Sequence, residues 1–429
     1  MNNSTTAPST TDLVIERMFN ASPELVWQMW TEPEHLMRWW GPDTFTSPEC
    51  QIDLRVGGKY LFCMQGPDGE RIYSTGIYKE IVPYERIAYT DYFSDADGNI
   101  VPATHYGLGE EHPKQLDVIV MFEAVGEQTR MTLTQRNIPA VYMEMGVKQG
   151  WNESFDKLGD ALPLMVTSKD GTQIAYDTRG TGAPVILVDG AMGYRRFTNE
   201  GPTVASILAE RFTVYSYDRR GRGQSTDADA YAIEREIEDI DALIEAAGGT
   251  VYLYGMSSGA ILALLAAQEL GDKVSKLVLY EPPLLIDDSR PPLAPDYVEQ
   301  LNAALAAGDR SKAVDIFMKV ALLIPEEYVA PMRQSPMWPD LEAVAHTLPY
   351  DGLITEGYMM GERWPADTWA DVHAETLVIA GEHTEPFFQT GGTALADDLQ
   401  SGKFQLLPGQ GHDVDATVLA PVLAAFFSN

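Results

Sequence analysis

Cysteine is nearly absent from this 429-residue chain, which holds only Cys50 and Cys63. Two thiols make no disulfide framework, and neither sits at metal-ligand spacing, so both read as ordinary reduced thiols. Basic residues are scarce as well. Thirty lysines and arginines face 63 acidic residues, a formal net charge of −33, which repels nucleic acid and anionic membrane surfaces. Neutral, cationic or apolar small molecules are the expected partners. No apolar run approaches the ~20 residues of a membrane span, and the N-terminal MNNSTTAPSTTD has neither the basic nor the apolar segment of a signal peptide. A cytoplasmic location is the expectation. No internal repeat, low-complexity tract, or metal or organic cofactor is implied, and the sequence is silent on oligomeric state.

What is present is apolar content of 45%, enough over this length for two substantial cores. The patterning changes near Pro163. Before it, Ser22-Pro23-Glu24 opens a helical stretch with a serine cap and proline in the first turn. Alternating segments around Lys59–Met64, Ser74–Ile81, Arg86–Tyr92, Gln115–Phe122 and Thr129–Gln135, broken by turn signals such as GPDGE and SDADGN, predict an antiparallel sheet. A long helix is expected from about Val141 to Leu162, carrying Tyr142, Met145, Gln149, Trp151 and Phe155. His35, His105 and His112 lack nearby thiols or paired carboxylates, which makes them structural or surface residues. Trp27, Trp30, Trp39 and Trp40 read as core, with a cavity lining as the alternative.

The segments TEPEHLMRWWGP (Thr31 to Pro42), RVGGKYLF (Arg55 to Phe62) and QGWNESFDKL (Gln149 to Leu158) resemble the START-like helix-grip domains similar to the activator of the heat-shock-protein ATPase. The resemblance covers about residues 11–163. It implies an α+β fold in which a curved sheet grips a long helix around an apolar cavity, and hence a hydrophobic ligand or a regulatory role.

After Pro163, PVILVDG, FTVYSYD, TVYLYGMS, KLVLYE and TLVIAGE are short apolar runs ending at a glycine or carboxylate and mostly separated by helical stretches. Such a series predicts α/β architecture with a mainly parallel sheet. In VYLYGMSSGA the pattern G-x-S-x-G falls on Gly255, Ser257 and Gly259, directly between an apolar strand and a helical run. A sharp turn there lifts Ser257 to the sheet edge, where helix N-terminal amides favour a developing anion. Ser258 is its neighbour and rival, but only Ser257 has glycine at both −2 and +2. A serine hydroxyl needs a base, and His412 in LLPGQGHDVD lies in a glycine-rich loop before the last helix. His346 and His373 read as surface residues, and His383 is a weaker second choice for the base.

With VDGAMGYRRF (Val188 to Phe197) and YDRRGRGQS (Tyr217 to Ser225), these motifs resemble the α/β-hydrolase superfamily across residues 168–429. The resemblance implies a Ser-acid-His triad, an oxyanion hole from the amides of Ala191 and Ser258, and a helical cap over about residues 285–369. Asp189 stands where many members carry histidine. The acid is where this chain departs furthest, because Thr384 occupies the usual aspartate position, between Glu382 and Glu385. Glu281, at the end of the preceding strand, is the favoured acid, with Glu385 and Glu382 as alternatives. Met318, Met332, Met337, Trp338, Met359 and Met360 read as cap core or as an adaptable pocket lining. The acidic helix YAIEREIEDIDALIEAAG reads as a solvated face. The expected activity is hydrolysis of an ester-like carbonyl in a small apolar substrate. The alternatives are a hydrolase fold without activity that binds a ligand or a chaperone, and a cofactor-free non-hydrolytic enzyme.

Overall fold

The computed structural model describes residues 10–110, 112–126, 128–139, 143, 146–195 and 202–429. The chain divides into two compact units after Pro163. In the first, seven strands form an antiparallel sheet: β1 (Thr10–Phe19), β2 (Cys50–Ile52), β3 (Lys59–Gln65), β4 (Arg71–Val82), β5 (Arg86–Ser94), β6 (Leu116–Val125) and β7 (Gln128–Pro139), in the order β1-β7-β6-β5-β4-β3-β2. Strand β2 is three residues long, too short for an alternation to reveal it. The helix Pro23–Thr31 begins as its sequence predicts, with the Ser22 side chain accepting from the Leu25 amide and proline in the first turn.

The long helix of this unit spans Val147–Ala161, and residues 141, 142, 144 and 145 at the start of the expected helix, Tyr142 and Met145 among them, lie outside the described residues. Its N-cap is Gly146 at φ +85°, a conformation glycine adopts without a Cβ penalty. Phe155 and Leu158 are buried, and Trp30 stacks on Trp151 with ring centroids 6.2 Å apart. All four tryptophans Trp27, Trp30, Trp39 and Trp40 are buried. Trp40 also lines a cavity of about 400 Å³ between sheet and helix.

In the second unit, eight strands form one sheet: β8 (Leu164–Thr167), β9 (Gln173–Arg179), β10 (Pro184–Val188), β11 (Thr213–Tyr217), β12 (Val251–Met256), β13 (Val274–Tyr280), β14 (Glu375–Gly381) and β15 (Gly402–Leu407). Their order is β15-β14-β13-β12-β10-β11-β9-β8; β8 and β9 are antiparallel to their neighbours and the rest are parallel. Both faces are covered. Ile186, Leu253, Leu277, Leu279 and Val378 pack with the helices Ile233–Ala246 and Ser258–Leu270 on one face. Their alternates Val185, Tyr254, Val278, Tyr280 and Ile379 pack with Leu208 and the C-terminal helix residues Leu419 and Leu423 on the other. Burial on both sides is why these strands read as continuous apolar runs.

Between β13 and β14 the chain forms a series of short helices, among them Tyr297–Ala306, Arg310–Ile316, Trp338–Val344 and Leu348–Thr355. Met318, Trp338 and Met359 are buried in one cluster with Met192 and Phe387, whereas Met332, Met337 and Met360 are exposed. Strand order reverses direction around β10 and β12, which leaves a crevice at their carboxyl ends.

Candidate active site

Ser257 sits at that crevice. It follows β12 directly, caps the helix Ser258–Leu270, and holds φ +54°, ψ −127°, a region L-residues rarely enter. Two glycines make this possible. A Cβ on Gly255 would approach the Gly259 carbonyl oxygen to 2.5 Å, and one on Gly259 would approach that of Val188 to 2.4 Å. Strand and helix meet too closely there for any side chain. The Ser257 amide bonds the Tyr280 carbonyl at 2.9 Å, tying the turn to the neighbouring strand. The rival Ser258 is buried, and its Oγ donates to Asp351 Oδ1 at 2.7 Å, so its hydroxyl is committed elsewhere.

The loop after β10 faces the turn. Gly190 lies so close that a Cβ there would come within 3.1 Å of the Ser257 Cβ. Two buried arginines hold the loop's carbonyls: Arg222 donates to Gly190 and Gly193 at 2.6 and 3.1 Å, and Arg219 to Asp189 at 3.3 Å. Ala191 is half-buried in this loop, and Arg196 and Phe197 lie outside the described residues. Burial pushes the Asp189 carboxyl up to about 6, against the lowering effect of Arg222.

Glu281 is fully buried at the end of β13, itself in a strained conformation at φ +48°. Its Oε2 lies 2.6 Å from His412 Nδ1, and the acid is sealed from solvent while the histidine side chain is 38% exposed. A carboxylate accepts only, so Nδ1 carries a proton, and in the neutral ring the lone pair is on Nε2. Gly381 N–H donates to Oε1 at 2.8 Å, and the Thr384 hydroxyl donates to Oε2 at 3.1 Å. Thr384, at the usual acid position, thus serves the acid on the neighbouring strand. His412 also stacks on Phe388 with ring centroids 5.2 Å apart, and the Tyr280 hydroxyl bonds the Gly411 carbonyl at 2.5 Å.

The other carboxylates are engaged elsewhere. Glu382 is exposed and accepts from the Gly409 amide at 2.9 Å; Glu385 pairs with Arg290 at 3.5 Å. His373 and His383 are exposed, and half-buried His346 stands 3.9 Å from Asp227. Glu281 and His412 are therefore brought into contact. Ser257 shares their edge of the sheet, and among the described residues its Oγ forms no hydrogen bond.

One expectation needs correction. The helix Ile233–Ala246 is not simply a solvated face: Glu236 clamps Arg219 through contacts of 2.7 and 2.6 Å, and Asp239 clamps Arg220 through contacts of 2.8 and 2.7 Å, all four side chains being buried. Arg219 and Arg222 then share Asp351, at 2.7 and 2.5 Å, from the helix Leu348–Thr355. Charges cannot be buried without partners, so this network is closed. Three arginines within four positions of an acidic chain were the signal; their partners, up to 132 residues away, were not legible.

A two-sided parallel sheet with a strained serine turn at its switch point, a histidine loop and a helical insertion defines an α/β-hydrolase unit. The chain belongs to the alpha/beta hydrolase family, whose model matches residues 174–423. The model of the activator of Hsp90 ATPase homolog 1-like protein family matches residues 20–162, which makes the first unit a START-like domain. The crystal structure of an alpha/beta hydrolase from Sphaerobacter thermophilus DSM 20745 is 45% identical with a TM-score of 0.56, the match covering 62% of this chain and 100% of that one. The bifunctional esterase/perhydrolase DCH of Acinetobacter calcoaceticus is 26% identical over 59% of this chain and 94% of its own length. The uncharacterized hydrolase YraK of Bacillus subtilis (strain 168) is 33% identical, over 27% of this chain and 43% of its own length. Among the described residues no helix is long and apolar enough to cross a membrane.

Proposed function

We propose that the second unit is a serine hydrolase that cleaves an ester-like carbonyl in a small, apolar substrate. The observation that carries this reading is the 2.6 Å contact of His412 Nδ1 with the buried Glu281 carboxylate, on the same sheet edge as the strained Ser257. Ser257 Oγ attacks the carbonyl carbon while His412 Nε2 takes its proton, and Glu281 holds the imidazolium that forms. The amides of Ala191 and Ser258 receive the oxyanion. His412 returns the proton to the leaving alcohol, and water repeats the sequence on the acyl-enzyme. A buried acid with three donors keeps the ring in one tautomer, which supports the assignment of Glu281 over Glu382 and Glu385.

The test is fluorophosphonate labelling of the full chain and of Ser257→Ala, followed by turnover of p-nitrophenyl esters of increasing acyl length. Labelling confined to the wild type and turnover that falls with long acyl chains support the reading. An unlabelled wild type overturns it and favours a fold that binds ligand without reacting. Similarity to an esterase/perhydrolase motivates one second reading, in which peroxide replaces water in deacylation; peracid formed from ester and hydrogen peroxide would identify it.

A further inference from the structure

The cavity of the START-like unit contains a carboxylate that the hydrolase chemistry does not use. Asp91, on β5, lines the cavity, and its Oδ1 accepts from the Tyr60 hydroxyl at 2.7 Å. The Ser74 hydroxyl and the Tyr92 backbone N–H are further donors to this carboxylate. All three partners are neutral, and among the described residues no lysine, arginine or histidine forms an ion pair with it. Asp91 is half-buried, and neutral donors compensate only part of the hydration that such a carboxylate loses. Desolvation accordingly pushes its pKa up to about 6.

A second polar group faces the same space. Gln135, on β7, is only 2% exposed and lines the cavity, yet among the described residues its Oε1 has no hydrogen-bond partner. Register places the two together. Asp91 opposes Leu116 and Gln135 opposes Val118 across β6, so both share the face on which Leu116 and Val118 are buried. Buried polar atoms are rarely left unpaired in a finished structure. The remaining wall is mainly apolar and aromatic, with Trp40, Met64, Phe93, Leu116 and Trp151, and also includes Ser154 and His112. Its volume of about 400 Å³ lies in the range of small-molecule pockets.

We infer that this cavity binds an organic cation, a small amine with an apolar body, whose ammonium group donates to Asp91 and the Gln135 carbonyl while its body packs on Trp40 and Trp151. An ammonium provides the three donors and the charge that these acceptors lack, and the indole faces tolerate a cation. A neutral apolar ligand would leave the carboxylate and the amide as they are. An anion would be repelled.

The test uses three probes with one body, 4-phenylbutylamine, 4-phenylbutan-1-ol and 4-phenylbutyrate, titrated calorimetrically into the full chain at about 0.15 M salt, where the screening length is about 8 Å and the chain's overall negative charge contributes little. The expected order is amine, alcohol, carboxylate, with the amine about tenfold tighter than the alcohol, since a charge-assisted hydrogen bond is roughly twice as strong as a neutral one. In Asp91→Asn, whose amide oxygen still accepts from Tyr60, the amine loses that advantage and the alcohol does not. Equal affinities for amine and alcohol in the wild type, no binding of either, or an amine preference that survives Asp91→Asn would each overturn the inference. The wild-type order tests it even if the variant fails to fold.

Discussion

Replacing Glu281 by glutamine changes one functional group at the buried end of β13 and nothing in its volume. In the wild type Oε1 accepts from the Gly381 amide at 2.8 Å, while Oε2 accepts from Thr384 and from His412 Nδ1 at 3.1 and 2.6 Å. Glutamine keeps its oxygen against the Gly381 amide, because an NH2 there would face another donor. Its nitrogen therefore takes the place of Oε2, pointing N–H groups at His412. Nδ1 must then accept, so the proton moves to Nε2, and the ring presents N–H to Ser257 instead of a lone pair. The imidazolium formed on attack also loses its carboxylate. A wrong tautomer in the analogous serine-protease triad costs about 10⁴-fold, and we expect kcat for p-nitrophenyl butyrate to fall about 10³- to 10⁴-fold, or roughly 4–5.5 kcal/mol of barrier. KM should change little, since Glu281 is fully buried and presents no surface to a substrate. Glu382→Gln and Glu385→Gln should stay within about twofold of wild type, because Glu382 engages the Gly409 amide and Glu385 engages Arg290 rather than His412. A Glu281→Gln enzyme within tenfold of wild-type kcat, with an unchanged melting profile, would refute the assignment of the acid.

Asp351→Ala should strip the shared partner from Arg219 and Arg222, leaving two buried guanidinium groups undercompensated; a cost of about 3–5 kcal/mol is expected, read as a lower midpoint in urea unfolding. Gly259→Ala should be similarly severe despite adding one methyl group, since its Cβ would meet carbonyl oxygens at 2.4 and 2.5 Å, and fluorophosphonate labelling should be lost with it. Asp91→Asn should alter the pH dependence of stability. A carboxyl raised to about 6 when folded favours the folded state while protonated, and that contribution is lost as pH rises through about 6. The wild type should therefore lose about 1 kcal/mol relative to Asp91→Asn between pH 5 and pH 8, and calorimetric scans showing a constant difference would contradict the raised pKa.

Much of the architecture was legible in the sequence because it is written in local patterns. Period-two alternation marks β3 to β7, unbroken apolar runs mark the parallel strands buried on both faces, and Ser22-Pro23 marks its helix start. Strand β2 was not legible, because three residues carry no period. Gly255 and Gly259 flag Ser257 through a steric requirement that spans only five residues. His412 was legible from its glycine-rich loop. Which carboxylate approaches it was not. Glu281, Glu382 and Glu385 all follow apolar strands, and only the pairing of β13 with β14, and of β14 with β15, brings one of them to the histidine, with Thr384 as a further donor. The arginines of YDRRGRGQS were visible, but Glu236, Asp239 and Asp351 become their partners only when a helix and the insertion pack over the sheet. Asp91 and Gln135 are 44 positions apart in the chain and share a cavity through the register of β5, β6 and β7. The sequence by itself determined the longer strands, the helix start at Ser22-Pro23 and the serine turn, since these depend on neighbours within a few residues. Tertiary structure brought Glu281 to His412 and decided the buried charge network and the polar lining of the cavity, because electrostatic partnership depends on distance through space, which the spacing along the chain does not contain.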